Sequence, residues 1–427
     1  MRKLKNFSMT FRTRIYFLVG IIIFFQQFIN AQENIKSQLL YEVGILDSIY
    51  SDVLTESRAL YVQIPSGYNP GKNQKYPVVF ILDGEVFLPS VCDVHDYYSG
   101  GFMPEMVIVG ISNNKNRIRD LTTSTIKTKY GMPFKEENGE AGNFIKFMEK
   151  ELIPFIEDKY PVTSFRTLIG HSYGGLFTIY TLLKSPDLFA NYLAIDPSLD
   201  WDEQKLLKEA EGTLTTQKYN NKSLFMSLSG QLHMQDAKVT IDNVMQDTTD
   251  FTLFARSNIV FSNLVSQIAN NGLFFDWKFY PRDLHGTVVL PSIMDGLISL
   301  FEWFQMENTD KINSFDTPKK ELFEIIKYRE KKLQNHFGYP VAPYPEELMN
   351  MSGYMNMDMQ QFEKAKMYFE LNIKYFPKSA NAWDSMADYY EAQDDFANAI
   401  KYVTKAFELS GSDYHLKRIE GLKEKNN

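Results

Sequence analysis

The stretch from Arg166 to Thr178, Arg-Thr-Leu-Ile-Gly-His-Ser-Tyr-Gly-Gly-Leu-Phe-Thr, constrains this chain more than any other. A short apolar run stops at Gly170, the pattern Gly170-His171-Ser172-Tyr173-Gly174 follows, and residues 176–184 then read as a helix. Strand, sharp turn, helix is the context in which G-x-S-x-G carries meaning. The turn holds Ser172 in a strained backbone conformation with its hydroxyl exposed above a sheet. Side chains at 170 and 174 would crowd that turn, so glycine is expected to be required at both. The helix behind the serine opens with free N–H groups, and that of Tyr173 can stabilise an oxyanion.

The surrounding pattern supplies the sheet. Residues 40–50 and 58–64 alternate apolar and polar side chains, as an antiparallel pair at a sheet edge would. Residues 76–82 and 106–111 are unbroken apolar runs, which suit strands buried on both faces. Residues 141–158 have helical spacing, with Pro154 expected to kink the helix or mark its last turns. Further strands are read at 192–195, 224–228 and 274–280, and helices at 202–210, 254–269 and 287–304. Strands alternating with helices after an antiparallel pair predict an α/β fold, a doubly wound, mostly parallel sheet.

Past Glu307 the character changes. Residues 319–334 read as a charged amphipathic helix, and Pro340, Pro343 and Pro345 interrupt the chain. A 34-residue echo follows: Phe362 recurs as Phe396, Ala365 as Ala399, and Gly353 is matched by the small Ala387. That period, with Pro377 ending the first unit, is the tetratricopeptide signature, so a small all-α, tetratricopeptide-like segment is expected at 345–427. Two repeats cannot bury their faces alone, and a helix at 414–423 is expected to cap them. The segment 308–344 is then a helical linker, and its neighbour 32–307 the main domain.

The first thirty residues bear on compartment. Arg2, Lys3, Lys5, Arg12 and Arg14 precede an apolar run of eleven residues, Ile15 to Phe25, and Ala31 offers a small residue for cleavage. Spanning a bilayer takes about 20 residues, so a signal peptide over 1–31 and export to the periplasm or beyond are expected, with a retained N-terminal anchor as the alternative. The net charge of −8 and the absence of a long basic run argue against a nucleic-acid partner. The single cysteine, Cys92, excludes an intrachain disulfide and a cysteine-rich metal site. No cofactor, metal-ligand spacing or phosphate-cradling loop is read.

A serine hydroxyl needs a base, and the place for it is a histidine just past the last strand. Of six histidines only His285, in Arg282-Asp283-Leu284-His285-Gly286, stands there. His171 neighbours the serine but is expected to point away from it at a sharp turn. The acid that orients the base is expected after the strand 224–228, which makes Asp236 the choice, with Asp242, Asp196 and Asp283 as rivals. A second oxyanion N–H is expected from Asp83-Gly84-Glu85, where Gly84 allows close approach.

Residues 40–304 resemble the esterase family of the α/β-hydrolase superfamily that includes enterochelin and other siderophore esterases, feruloyl esterases, S-formylglutathione hydrolase and mycolyl transferases. The resemblance rests on Leu82-Asp83-Gly84-Glu85, Gly110-Ile111 with Arg117 and Asp120-Leu121-Thr122, and Glu151-Leu152-Ile153-Pro154-Phe155-Ile156-Glu157. It rests equally on Gly170-His171-Ser172-Tyr173-Gly174-Gly175, Asp196-Pro197-Ser198 with Trp201, and His285-Gly286. It implies an α/β-hydrolase sheet, Ser172 as nucleophile, His285 as base, and Gly84 and Tyr173 as the oxyanion neighbourhood. Glu85 and Trp201 would line the cleft, and His171 is placed with them among the substrate-binding residues. One departure stands out: where many members carry an acidic residue three positions after the glycine that follows the 224–228 strand, this chain has His233. The expected activity is hydrolysis of a small-molecule ester through an acyl-enzyme; a non-catalytic scaffold presenting the repeats to a partner, and an acyltransferase, are the alternatives. Siderophore, aromatic plant and simple acyl esters all fit the family, and the repeats are expected to serve a protein partner or dimerisation.

Overall fold

A computed structural model describes residues 43–426 except 73, 130, 234–235 and 269; the expected signal peptide lies outside the described residues. The apolar runs form the strands that the pattern calls for. β1 (Ile45–Ser51) and β2 (Glu56–Gln63) make the antiparallel pair. β3 (Tyr76–Leu82), β4 (Val107–Ile111), β5 (Val162–His171), β6 (Asn191–Ile195), β7 (Lys222–Ser229) and β8 (Leu273–Tyr280) pair in parallel, in the spatial order β1-β2-β4-β3-β5-β6-β7-β8. Every residue of β3, β4 and β6 is buried, which is why these strands read as unbroken apolar runs.

Alternate residues of β3 serve opposite faces. Val78, Phe80 and Leu82 join Leu168 in a core with Phe144, Phe147, Phe177, Leu207 and Leu214. Those residues come from α3 (Ala141–Phe147), α5 (Tyr173–Lys184) and α6 (Trp201–Thr216). α7 (Leu253–Gln267) lies on this same side toward the β8 edge, with Phe261 and Val265 in that core, and the other face is covered by α1 (Gly84–Tyr98) and α8 (Val289–Phe301). The short α2 (Arg117–Leu121) follows β4. The helix expected over 141–158 is interrupted: α3 passes through a π-turn, Met148–Leu152, into α4 (Ile153–Lys159). Pro154 cannot donate an N–H and its ring crowds the carbonyl four residues back, and the wider turn relieves both.

The strand order reverses between β3 and β5. After β4 the chain crosses back over β3, so the connections leaving β3 and β5 run to opposite sides and open a crevice at their carboxyl ends. Asp83 closes β3 and Ser172 follows β5 at that crevice.

After α9 (Thr309–Ile312) and α10 (Lys319–Phe337) come five helices: α11 (Glu346–Asp358), α12 (Phe362–Tyr375), α13 (Ala380–Glu391), α14 (Phe396–Ser410) and α15 (Asp413–Asn426). The segment expected as a linker is packed rather than free. Arg329 of α10, 6% exposed, donates to the carbonyls of Phe304, Gln305 and Pro343 at 2.7–3.0 Å, and Tyr339 donates to Thr163 at 2.8 Å.

Candidate active site

Ser172 stands at the turn between β5 and α5 with φ 61° and ψ −116°, a left-handed conformation that a non-glycine residue adopts at a cost of about 1–3 kcal/mol. Its N–H donates to Ile195 O at 3.0 Å and its carbonyl accepts from Ser198 N–H at 3.1 Å, so the adjacent β6 loop holds the turn. Gly170 is required as expected: a Cβ there would lie 2.2 Å from Gly174 O. Gly174 is not. A Cβ on it meets Leu82 at 3.5 Å and Asp83 Oδ2 at 3.7 Å, ordinary contacts, while one on Gly175 would lie 2.9 Å from Pro197 Cα. The crowded glycine is therefore the one that faces the β6 loop's backbone.

His285 follows β8 and its side chain is 35% exposed. Its Nδ1 lies 2.7 Å from Asp196 Oδ2. A carboxylate only accepts, so Nδ1 carries the proton and Nε2 is left as the basic nitrogen. Asp196 is fully buried; its other oxygen accepts Ser229 N–H at 2.9 Å, which compensates a charge withdrawn from water. The partner of His285 is thus Asp196 and not Asp236. Asp236 is exposed, its carboxylate accepting Lys238 N–H at 2.9 Å and its own N–H donating to His233 Nδ1 at 2.8 Å. The expectation placed the acid at the end of β7, but that strand end contributes Ser229 N–H instead. The carboxylate comes from β6, one strand nearer Ser172. The sequence signal for it is an aspartate closing an apolar strand.

The oxyanion candidates open two helices at the crevice. Asp83 O accepts from Val86 and Phe87, so Gly84 and Glu85 carry the first two N–H groups of α1, which lack intrahelical partners. Tyr173 and Gly174 hold the same position in α5. Gly84 also fits tightly: a Cβ on it would lie 2.4 Å from Gly110 Cα in β4. Arg117 ties the two arms together, donating Nε and Nη2 to the Asp83 carboxylate at 2.8 and 2.9 Å and Nη2 to His171 O at 3.0 Å. Glu85 is half-buried beside Gly84, with a buried Oε2.

Two expected cleft residues lie elsewhere. Trp201 is 2% exposed, donates to Ser124 O at 2.9 Å and packs against Phe134 and Tyr173, so it backs the wall rather than facing it. His171 is 8% exposed, and its ring turns to His285 instead of to an open cleft. Lys129 was missed. It sits on a two-residue hairpin, Thr128–Lys129 with Met132–Pro133, donates to Tyr173 OH at 2.9 Å and lies over the Tyr173 ring. Arg117 lies 5.6 Å from the same ring's centre, so the residue after Ser172 carries cations on its side chain. Ser198, part of the Asp196-Pro197-Ser198 motif, places its Oγ 3.3 Å from Ser172 Oγ.

Comparison with known proteins decides the family. Residues 51–257 match the family described as "Putative esterase". The ferri-bacillibactin esterase BesA of Bacillus subtilis is 30% identical over 210 residues, 45% of this chain and 72% of that one. The chain belongs to this esterase family. The siderophore enterobactin esterase of Emericella nidulans is 31% identical to it over 184 residues, 40% of this esterase and 59% of that one. Among solved structures, an IroE-like serine hydrolase from Shewanella oneidensis superposes with a TM-score of 0.63 at 27% identity, covering 78% of this esterase and all but 1% of that chain (99% covered). The α/β-hydrolase fold of the esterase is shared with that structure.

Proposed function

We propose that this esterase hydrolyses carboxylic esters through an acyl-enzyme on Ser172, with His285 as general base and Asp196 orienting it. The observation that carries this reading is the 2.7 Å bond between His285 Nδ1 and the buried Asp196 carboxylate, next to a serine strained at φ 61°. His285 Nε2 takes the Ser172 proton as Oγ attacks the ester carbonyl carbon. The carbonyl oxygen becomes an oxyanion facing the N–H groups of Tyr173 and Gly84. His285 returns the proton to the departing alcohol, leaving an acyl-Ser172. Water, deprotonated by the same imidazole, then releases the acid and restores the serine.

The proposed substrate is an ester of the siderophore type. Two relatives bear the names of siderophore esterases, and Arg117 and Lys129 beside Tyr173 suit an anionic or phenolate-bearing group. An orienting acid absent at His233 would favour a non-catalytic scaffold, but the Asp196 carboxylate beside His285 supports catalysis instead. Turnover of a p-nitrophenyl ester and of a catecholate trilactone by the parent and by Ser172→Ala tests both parts. Loss of both activities in the variant is expected; undiminished turnover by Ser172→Ala would end the mechanism, and a trilactone left intact by the parent would end the substrate reading.

The helix pairs after Pro345 are read as two tetratricopeptide repeats capped by α15 and used for a protein partner or a second copy. In support, Glu346 and Ala380 open the first helix of each pair and Phe362 and Phe396 the second, 34 residues apart in both cases. Light scattering of the full chain tests dimerisation, which a one-chain mass removes. Export is proposed on the basic-then-apolar pattern before Ala31, and N-terminal sequencing of the mature protein checks it.

A further inference from the structure

We propose that His171 is a positioning residue: its ring fixes the main chain of His285 and so holds the base in register with Ser172. The inference rests on the proposed roles of Ser172 and His285. His171 Nε2 lies 2.8 Å from His285 O, and the two rings are 4.5 Å apart between centres at an interplanar angle of 39°. A carbonyl oxygen only accepts, so Nε2 carries the hydrogen and donates it. Phe87 of α1 packs edge-on with the His171 ring, 5.6 Å between centres, and Arg117 holds the His171 carbonyl. Phe87 thus packs the ring and Arg117 holds the main chain of the same residue, and the ring's Nε2–H carries that fixity to the loop after β8.

The loop it reaches has little apolar anchorage of its own. Pro281, Arg282, Leu284 and Gly286 are exposed. Apart from Phe254 of α7, which packs edge-on against the His285 ring at 5.3 Å between centres, what ties the loop down is polar: Gly230 N–H to Asp283 O at 2.8 Å, His285 N–H to Gln231 at 3.1 Å, the Asp196 bond, and His171 Nε2–H. The first two fix the chain from the β7 side; only the last reaches it from the strand that bears the nucleophile. His171 therefore sets the spacing between nucleophile and base directly. Burial, and then the facing His285 ring, pull its pKa from 6.5 down to about 4. It stays neutral while His285 charges during the reaction, so no second positive charge opposes the imidazolium.

The test compares His171→Phe, which keeps an aromatic ring without the donor, with His171→Gln, whose amide nitrogen can reach the same carbonyl. Steady-state kinetics on a small p-nitrophenyl ester and the melting temperature are read for both. His171→Phe is expected to lower kcat about 10-fold or more, as misplacement of a catalytic group does, with KM within about twofold and melting little changed. His171→Gln is expected to recover most of the loss. The proposal is overturned if His171→Phe turns over like the parent, or if His171→Gln is no better than His171→Phe. Collapse of the melting transition in both overturns it too, since His171 would then be a folding residue. Ser172→Ala, measured alongside, distinguishes this failure from failure of the mechanism: if it stays active, Ser172 is not the nucleophile, whatever the His171 variants do.

Discussion

Asp83, Ser172 and Asp196 have φ of 55°, 61° and 42°, and each closes or follows a strand at the crevice. Left-handed backbone at three non-glycine residues persists because their surroundings over-determine it: the Arg117 fork on Asp83, the β6 loop on Ser172, Ser229 and His285 on Asp196. Asp196→Asn should lower kcat about 10³- to 10⁴-fold, because the amide favours the wrong tautomer of His285. Asp236→Asn, on an exposed loop, should leave kcat within about twofold, since nothing it touches reaches the base. Equal losses in the two would restore Asp236 to the site. Ser172 was legible because its constraints are local, a strand, a glycine and a helix within a dozen residues. His285 was legible from chain order. Asp196 was not, because which strand end meets the histidine is settled by how the loops after β6, β7 and β8 meet in space. His171 failed for the same reason: its neighbour in sequence is the serine, but its partner lies on the loop after β8.

Among the elements, the strands were legible because burial on both faces writes an unbroken apolar run. α1 was not, since Pro89 within Gly84–Tyr98 reads as a breaker. It is tolerated on an exposed position of the helix, and Asp83 in the left-handed region turns β3 directly into it. The π-turn is equally hidden, yet it has a visible consequence. It presents the Glu151 carboxylate to Ser51 Oγ and to the N–H groups of Asp52 and Val53, fastening the β1–β2 turn. The elbow glycines make a sharper test of packing. Gly175→Ala drives a methyl onto Pro197 and should cost about 1–3 kcal/mol. Gly174→Ala, with room beside Leu82 and a helical backbone, should melt no lower than the parent and gain up to about 1 kcal/mol. Thermal melts of both check this; a lower melting temperature for Gly174→Ala than for Gly175→Ala would contradict the geometry.

At the scale of the molecule, the helices after Glu307 are joined to the sheet rather than tethered to it. Arg329 donates to three carbonyls and lies 5.3 Å from the ring centres of Phe304 and Tyr344. Around it Phe337 packs on Phe165 and Trp303. The sequence marked this segment as a helix between prolines but could not show what it touches, since an arginine among hydrophobic residues has the same pattern in a solvated helix. Arg329→Met leaves three carbonyls without their donor, and should cost about 2–4 kcal/mol. Limited proteolysis should then cut between residues 305 and 345, where the parent resists; unchanged proteolysis and melting would mean that the junction is held by its aromatic residues alone.

The central claim is that one serine, raised by a strained turn and served by His285, carries the acyl group. Peptide mapping after reaction with a fluorophosphonate tests it at the atom concerned. The account predicts a single covalent adduct on Ser172 in the parent and a labelling rate lowered by about two orders of magnitude or more in His285→Ala. An adduct on another residue, or labelling of Ser172 at an unchanged rate without His285, would contradict it.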